Sequence, residues 1–445
     1  MSGAGRNGSA ERSRSPLWVW PTVAGVVAAG AALVLTLIRP TGGWLTRLWP
    51  GDQDAAATVF QVVTTATVTV ATLTFSLTVV ALQLASQQFS PRLLREVTRD
   101  RVTKAVLATL TGAFVFSIVA IRQLNSSSPV PVVSALVALL LGIAAFAAGL
   151  SFISHMTRVL RVDTLMQMVH AETVTAIAAF YPRHDEPIDD PAQLELDPAA
   201  GHLVPAGESG YVRSVDVPAL LRAAREHEAV LRIETRPGDH VVRNTPMATV
   251  WVRTQLSTPP DALLDAVRAA VDVGYERTLD QDAGFGFRQL ADIAVKAVSP
   301  SINDPVTAAA ALGHMGDLLT RVVGSHLGPT LHRDEDGVGR AVVPDRDLRY
   351  YLELCCGQLR RYGGSEPTVL ASILQMLRDV AVSCRDDRQR AEIARAADAA
   401  AAQLPGQAAA ADAETVHDMR RRVDLALAGD LVGAYADRAG ETRSI

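Results

Sequence analysis

The reading of this chain turns on the run from Asp54 to Arg92, DAAATVFQVVTTATVTVATLTFSLTVVALQLASQQFSPR, in which no side chain between the two ends carries a charge. A hydrocarbon core about 30 Å thick is crossed by roughly 20 helical residues, so the part from Thr58 to Ala85 predicts a membrane-spanning helix. Its polar residues are ordered. Gln61, Thr65, Thr69, Thr72, Ser76, Gln83 and Gln87 follow one another at intervals of 3, 4 or 7, one face of a 3.6-residue helix. Two readings fit that stripe. Ser and Thr hydroxyls bond their own i−4 carbonyls, and polar stripes pack against other helices; alternatively the stripe faces water, and these seven residues line a path. The glutamines keep the second reading open, because a carboxamide needs both donors and acceptors around it.

Outward from this helix, Leu17 to Ile38, Lys104 to Leu124 and Val130 to Ser154 are also long and uncharged enough to cross a bilayer. The first follows a basic leader with Arg6, Arg12 and Arg14 but is longer than a signal-peptide core and lacks a clear small-residue cleavage site, so it reads as a retained helix. The leader, the Arg92 to Lys104 loop and the segment with Arg158 and Arg161 are basic, while the loops holding Arg47 and Asn125 are weakly charged. Positively charged loops resist translocation, so four crossings with both termini in the cytoplasm are expected. After Ser90-Pro91, a helix start, Arg92, Arg95 and Arg99 recur at helical spacing opposite Leu93, Leu94 and Val97. That pattern fits a short helix with its basic side on anionic lipid headgroups, and it fits ordinary anchoring equally well.

Beyond Arg161 the chemistry changes. Up to that residue there are thirteen Lys/Arg and five Asp/Glu, a surplus of eight; the whole chain carries −5, so the remainder carries −13. An acidic region of this kind argues against nucleic acid as a partner, which calls for a basic surface. All three cysteines, Cys355, Cys356 and Cys384, lie in this part, a usage that suits a reducing compartment. The expected layout is a basic leader over 1–16, a four-helix transmembrane domain over 17–160, a linker over 161–200, a small β-rich module over 201–255, a helical cytoplasmic domain over 256–430 and a tail over 431–445. The fold class is thus an all-α membrane bundle followed by a cytoplasmic α+β region.

The β-rich module is read from Gly210 to Asp216, Ala229 to Glu234, Pro237 to Val242 and Pro246 to Val252, with a short helix over Pro218 to Glu228. The turns around Pro237-Gly238-Asp239 and Asn244-Thr245-Pro246 resemble those of small barrel-sandwich domains of the biotinyl/lipoyl type. A carrier of that type needs a modifiable lysine, and none occurs from 105 to 295, so a structural or ligand-binding module is expected. Amphipathic helices follow at Leu263 to Val271, Leu348 to Leu359 and Leu370 to Val380. Cys355 falls on an apolar stripe and is expected to be buried. The stretch from Gly324 to Pro344, rich in Gly, Asp and Arg, reads as a loop, and Ala391 to Ala413 as a helix broken at Pro405-Gly406.

The most distinctive segment is Arg277 to Ala308, RTLDQDAGFGFRQLADIAVKAVSPSINDPVTA. Together with FSLTVVALQLASQQFSPRLL at the end of the polar-striped helix, it resembles the bacterial predicted membrane proteins grouped as domain of unknown function 2254, over most of the chain from about Leu17 to about Asp430. The resemblance implies a membrane half and a cytoplasmic half and brings no activity. Physically, Arg288, Asp292 and Lys296 form an i, i+4, i+8 ladder on one helix face. Asp304-Pro305 starts the next helix with an N-cap and a first-turn proline, and Gly284 and Gly286 leave room for a close backbone approach. A capped helix-loop-helix joint explains these features. A binding site at the joint formed by Asp282, Arg288, Asp292, Lys296, Asn303 and Asp304 is the alternative.

No Walker loop or G-x-S-x-G elbow occurs. His155, His170, His184, His202, His227 and His240 lack metal-ligand spacing, so no enzyme, cofactor or metal is expected. The expected function is an oligomeric channel-like or transport-related membrane protein with a cytoplasmic regulatory domain. The alternative is a membrane-anchored sensor or scaffold without conduction.

Overall fold

A computed structural model describes residues 18–38, 49, 51–88, 101–124, 130–159, 161–186, 188–194, 196–252 and 258–436. The chain divides into two compact units, with the boundary in sequence between Thr164 and Leu165.

The first unit is helical: α1 (Val19–Leu35), α2 (Gln53–Gln88), α3 (Arg101–Arg122) and α4 (Val132–Val159). Stretches in α2, α3 and α4 are long and apolar enough to cross a membrane, whereas α1, though apolar, has 17 residues and is shorter than these three. α1 packs on α3, and α2 packs on both α3 and α4. Small residues set the α2–α4 approach. A β-carbon on Gly142 would lie 2.8 Å from Val63, and one on Gly149 would lie 2.6 Å from Val70, so the two glycines, one heptad apart, seat two valines of α2. Val63, Leu110, Ala145, Phe152 and Met156 form one apolar cluster with Val70 and Leu77 against it, and Phe60, Phe116 and Ala135 anchor a second.

In the second unit, α5 (Val162–Phe180) leads through two short 3-10 turns to β1 (His202–Pro205), β2 (Gly210–Val215), α6 (Val217–Glu226), β3 (Ala229–Ile233), β4 (His240–Val241) and β5 (Pro246–Val252). Then follow α7 (Asp261–Ala270), β6 (Val271–Gly274), α8 (Ala283–Ala297), α9 (Pro305–Val323), β7 (Thr330–Arg333) and β8 (Gly339–Val343). The chain ends in helices: α10 (Leu348–Leu352), a π-helical turn (Glu353–Gly357), α11 (Gln358–Tyr362), α12 (Pro367–Ala381), α13 (Asp387–Ala401), α14 (Ala410–Leu427) and α15 (Leu431–Ala434).

The five-stranded sheet runs β1-β5-β3-β8-β7, antiparallel except where β3 meets β8, and the three-stranded sheet runs β4-β2-β6. Two expectations are corrected here. Gly324 to Pro344 is not a loop but carries the β7–β8 hairpin, in which Arg340 bonds the nearly buried Asp334 at 2.9 Å across the turn. Nor do the strands of 201–255 close a barrel-sandwich module by themselves: β6 completes one sheet, and β7 and β8 extend the other. Val212, Leu220, Leu231, Ile233, Met247, Val250, Leu263 and Val267 share one core drawn from both sheets and from α6 and α7. Burying such side chains contributes about 1.5–3 kcal/mol each. Asp216 caps α6 by accepting from the Ala219 amide, with Pro218 in the first turn.

Candidate functional site

The seven polar residues of α2 share one face, and that face is turned away from the unit's own core. Gln61, Thr65, Thr69, Thr72, Ser76 and Gln83 are exposed, while Val63, Val70 and Leu77 on the opposite side pack against the neighbouring helices; the side chain of Gln87 lies outside the described residues. The hydroxyls of Thr69 and Thr72 donate to the carbonyls of Thr65 and Val68, each at 2.9 Å, so these two are satisfied by their own helix. Among the described residues, the side chains of Gln61, Thr65, Ser76 and Gln83 make no hydrogen bond. Arg92, Arg95 and Arg99 lie outside the described residues.

The joint between α8 and α9 is built as its sequence reads. The Asp304 carboxylate accepts from the Thr307 amide at 3.0 Å and from its hydroxyl at 2.6 Å, which holds it below the ordinary carboxylate range. Asn303 before it adopts φ 52°, a left-handed conformation that Asn tolerates. On α8, Arg288 and Asp292 pair at 2.9 Å, with Lys296 one turn further on. Asp282 is not part of this joint. It caps the other end of α8 by accepting from the Phe285 amide, and a 15-residue helix, about 22 Å long, separates it from Asp304. The six joint candidates therefore do not form one site.

Asp282 belongs instead to a polar cluster that no sequence motif announced. Its carboxylate, 3% exposed, takes the Arg277 guanidinium at 2.5 Å, and Arg277 also reaches the Tyr350 hydroxyl at 3.4 Å. Gly238, at φ +87°, packs so tightly on Asp282 that a β-carbon would collide with the carboxylate. Burial raises the Asp282 carboxyl and outweighs the pull of Arg277. Next to it the hydroxyls of Tyr181 and Tyr351 lie 2.5 Å apart, with the Asp345 carboxylate 3.5 Å from Tyr181. Burial pushes both phenols up, and it raises Asp345 to about 6 against the opposing pull of the Arg346 amide and guanidinium. Arg346 stacks on the Tyr350 ring at 4.1 Å and bonds Asp239 at 2.7 Å. These residues come from five segments: the end of α5, the β3–β4 turn, the segment before α8, the β8–α10 connection and α10 itself.

Asp345, Arg346 and Tyr350 of this cluster also line one wall of a cleft of about 580 Å³, whose other walls include the Ser325 to Pro329 loop and the first turns of α13. His184 and His326 stack in it with ring centroids 4.8 Å apart. Among the described residues no group of three or more His, Cys, Asp or Glu is placed to hold a metal. Cys355 and Cys356 are buried in the π-helical turn, and burial raises both thiols, Cys356 to about 12, so neither is an ionised nucleophile at neutral pH.

Comparison with known proteins gives a family and no activity. Uncharacterized proteins of Mycobacterium bovis and of two strains of Mycobacterium tuberculosis are 32% identical to this chain over 384 residues, covering 85% of it and 74% of each relative. No solved structure matches. A family model described as predicted membrane protein matches residues 14–379. That span includes the striped α2, the α8–α9 joint and the polar cluster, and the chain belongs to the DUF2254 family of predicted membrane proteins.

Proposed function

We propose that this protein is a homo-oligomer of the bacterial plasma membrane in which the α2 stripes of several copies face one another around a channel-like path, regulated by the second unit in the cytoplasm. One observation carries the reading: the polar face of α2 lies opposite the face packed in its own bundle. Gln61 and Gln83 are 22 residues apart, about 33 Å of helix, which matches the thickness of a hydrocarbon core. Carboxamides turned to lipid are costly, and neighbouring copies with water between them supply the missing partners. In this reading α1 is a fourth crossing, since its 17 residues reach the lower end of the spanning range. Both termini are cytoplasmic on the basic-loop pattern, and Arg92, Arg95 and Arg99 meet anionic headgroups.

Single cysteines test it, after replacement of Cys355, Cys356 and Cys384. At Thr65, Thr72, Ser76 and Gln83 they should react with a membrane-impermeant thiol reagent, while cysteines at Val70 and Leu77 should stay protected. Native mass spectrometry in detergent should show an oligomer. Uniform protection of the stripe, or a strict monomer, would favour the second reading, a membrane-anchored sensor or scaffold without conduction. The backbone bonds of the Thr69 and Thr72 hydroxyls are what speak for that alternative.

A further inference from the structure

The cleft beside the Asp282 cluster has an imbalance between donors and acceptors. Six of its lining residues can carry positive charge: Arg236, Arg346, Arg349, Arg388, His184 and His326. Four carboxylates also line it, and each already holds a donor. Asp345 accepts from the Arg346 amide at 2.7 Å, Asp347 from the Tyr350 amide at 2.9 Å, Asp386 from the Gln389 amide at 2.7 Å, and Glu392 from Arg395 at 2.8 Å. The arginines are less fully used. Arg236 donates from Nε to the Asp345 carbonyl at 3.1 Å, and Arg346 gives one nitrogen to Asp239. Arg349 has only a 3.8 Å approach to Glu392, and the exposed Arg388 makes no side-chain bond among the described residues. A guanidinium carries five N–H groups and a carboxylate about four lone-pair sites. The four arginines and four carboxylates balance in formal charge, and each carboxylate keeps one oxygen without a bond among the described residues, but the open N–H groups still outnumber those open oxygens.

We propose that this cleft binds a phosphate-bearing small molecule, whose oxygens take the guanidinium donors of the exposed Arg349 and Arg388 and of the half-buried Arg236 and Arg346. Phosphate is the matching chemistry because it offers several acceptor oxygens to bidentate guanidinium groups, and Arg is the residue best suited to it. The first turn of α13, a 15-residue helix whose start Asp386 caps, forms part of the same wall. A volume of about 580 Å³ exceeds what a free phosphate ion fills and lies within the range of small-molecule sites. The phosphate can come from a soluble phosphorylated metabolite or from a lipid headgroup that enters the cleft. The inference does not depend on what α2 lines, because binding alone is measured.

Isothermal titration calorimetry on the full chain in a non-ionic detergent, with pyrophosphate, adenosine monophosphate and short-chain phosphatidic acid as separate probes, decides it. We expect saturable binding of at least one probe, weakened by salt, and weakened about tenfold or more by Arg349→Glu and by Arg388→Glu. Both positions are exposed, so the variants should keep the wild-type melting transition, and Arg388→Lys should fall between wild type and Arg388→Glu. Binding of pyrophosphate or adenosine monophosphate assigns a soluble ligand, and binding of phosphatidic acid alone assigns a headgroup. If none of the three saturates, or if both charge reversals bind as the wild type does, the cleft is not a phosphate site.

Discussion

Gly286 of α8 touches Thr173 of α5 so closely that no β-carbon fits between them. Thr173 is fully buried, and its hydroxyl donates to the Val169 carbonyl at 2.6 Å. We expect Gly286→Ala to lower the unfolding free energy by about 2 kcal/mol, because overpacking costs more than the helix gains from alanine. In a Thr173→Ala background part of that loss should return, since the removed hydroxyl bonds only its own helix. Denaturant melts of the four forms make the double-mutant cycle, and equal losses in both backgrounds would rule out the clash as the cause.

Asp304 holds the start of α9 with two bonds to Thr307. As an N-cap, it should be replaceable by Asn or Ser with little loss, while Asp304→Ala should cost about 1 kcal/mol. Thermal melts of the full chain check this. If Asn, Ser and Ala all abolish function equally in folded protein, the charge of Asp304 serves a site at the joint and not a cap alone.

Asp345 should set a pH dependence. Its carboxyl titrates near 6 when folded against 3.8 ordinarily, so between those values the folded state holds more protons than the unfolded one. Stability from this group is then greatest at low pH and is lost as the pH rises through about 6, by about 3 kcal/mol in all. His332, which burial holds low, works in the opposite direction, so the comparison must be with Asp345→Asn. The advantage of the Asn variant over wild type should grow between pH 4 and 7, and a constant difference would assign the raised carboxyl elsewhere.

Arg378 is fully buried, pairs with Asp379 at 2.8 Å and lies 4.2 Å from the ring of Tyr435, whose hydroxyl also donates to Asp379 at 2.8 Å. Tyr435→Phe should cost about 1 kcal/mol for the lost hydrogen bond. Tyr435→Ala should cost about 3 kcal/mol, because it removes the face that covers a buried cation. Chemical denaturation that ranks the two variants equally would mean that the ring contact contributes little.

Where the cause of an element is local, the sequence revealed it. The uncharged run around Phe60 to Val80 marked α2, Asp304-Pro305 marked the start of α9, Pro405-Gly406 marked the break between α13 and α14, and four of the strands fell close to their expected places. The room left at Gly284 and Gly286 was legible, but not that Tyr350 and Thr173 fill it. β7 and β8 were hidden because Asp334 to Asp336 make the hairpin turn acidic and Arg333 and Arg340 interrupt its apolar alternation. The Asp282 cluster has no spacing to find: Tyr181, Asp239, Arg277, Asp345 and Tyr351 meet only after five segments have packed. The face of α2 could be drawn from its periodicity, whereas the side of the bundle it occupies could not.

The parallel pairing of Leu231 with Ala341 and of Arg232 with Val342 joins strands more than a hundred residues apart in the chain. As the protein is synthesised, β3 can take β5 on one side almost at once, but its other edge has to wait until β8 has left the ribosome. During that interval an unpaired strand with fully buried Leu231 and Ile233 is open to other nascent chains. The cost of closing so long a loop falls late and on a single pairing. A chain stopped before Gly339 would thus carry a sticky edge, and its fate would be decided by aggregation or proteolysis before any question of membrane function arose.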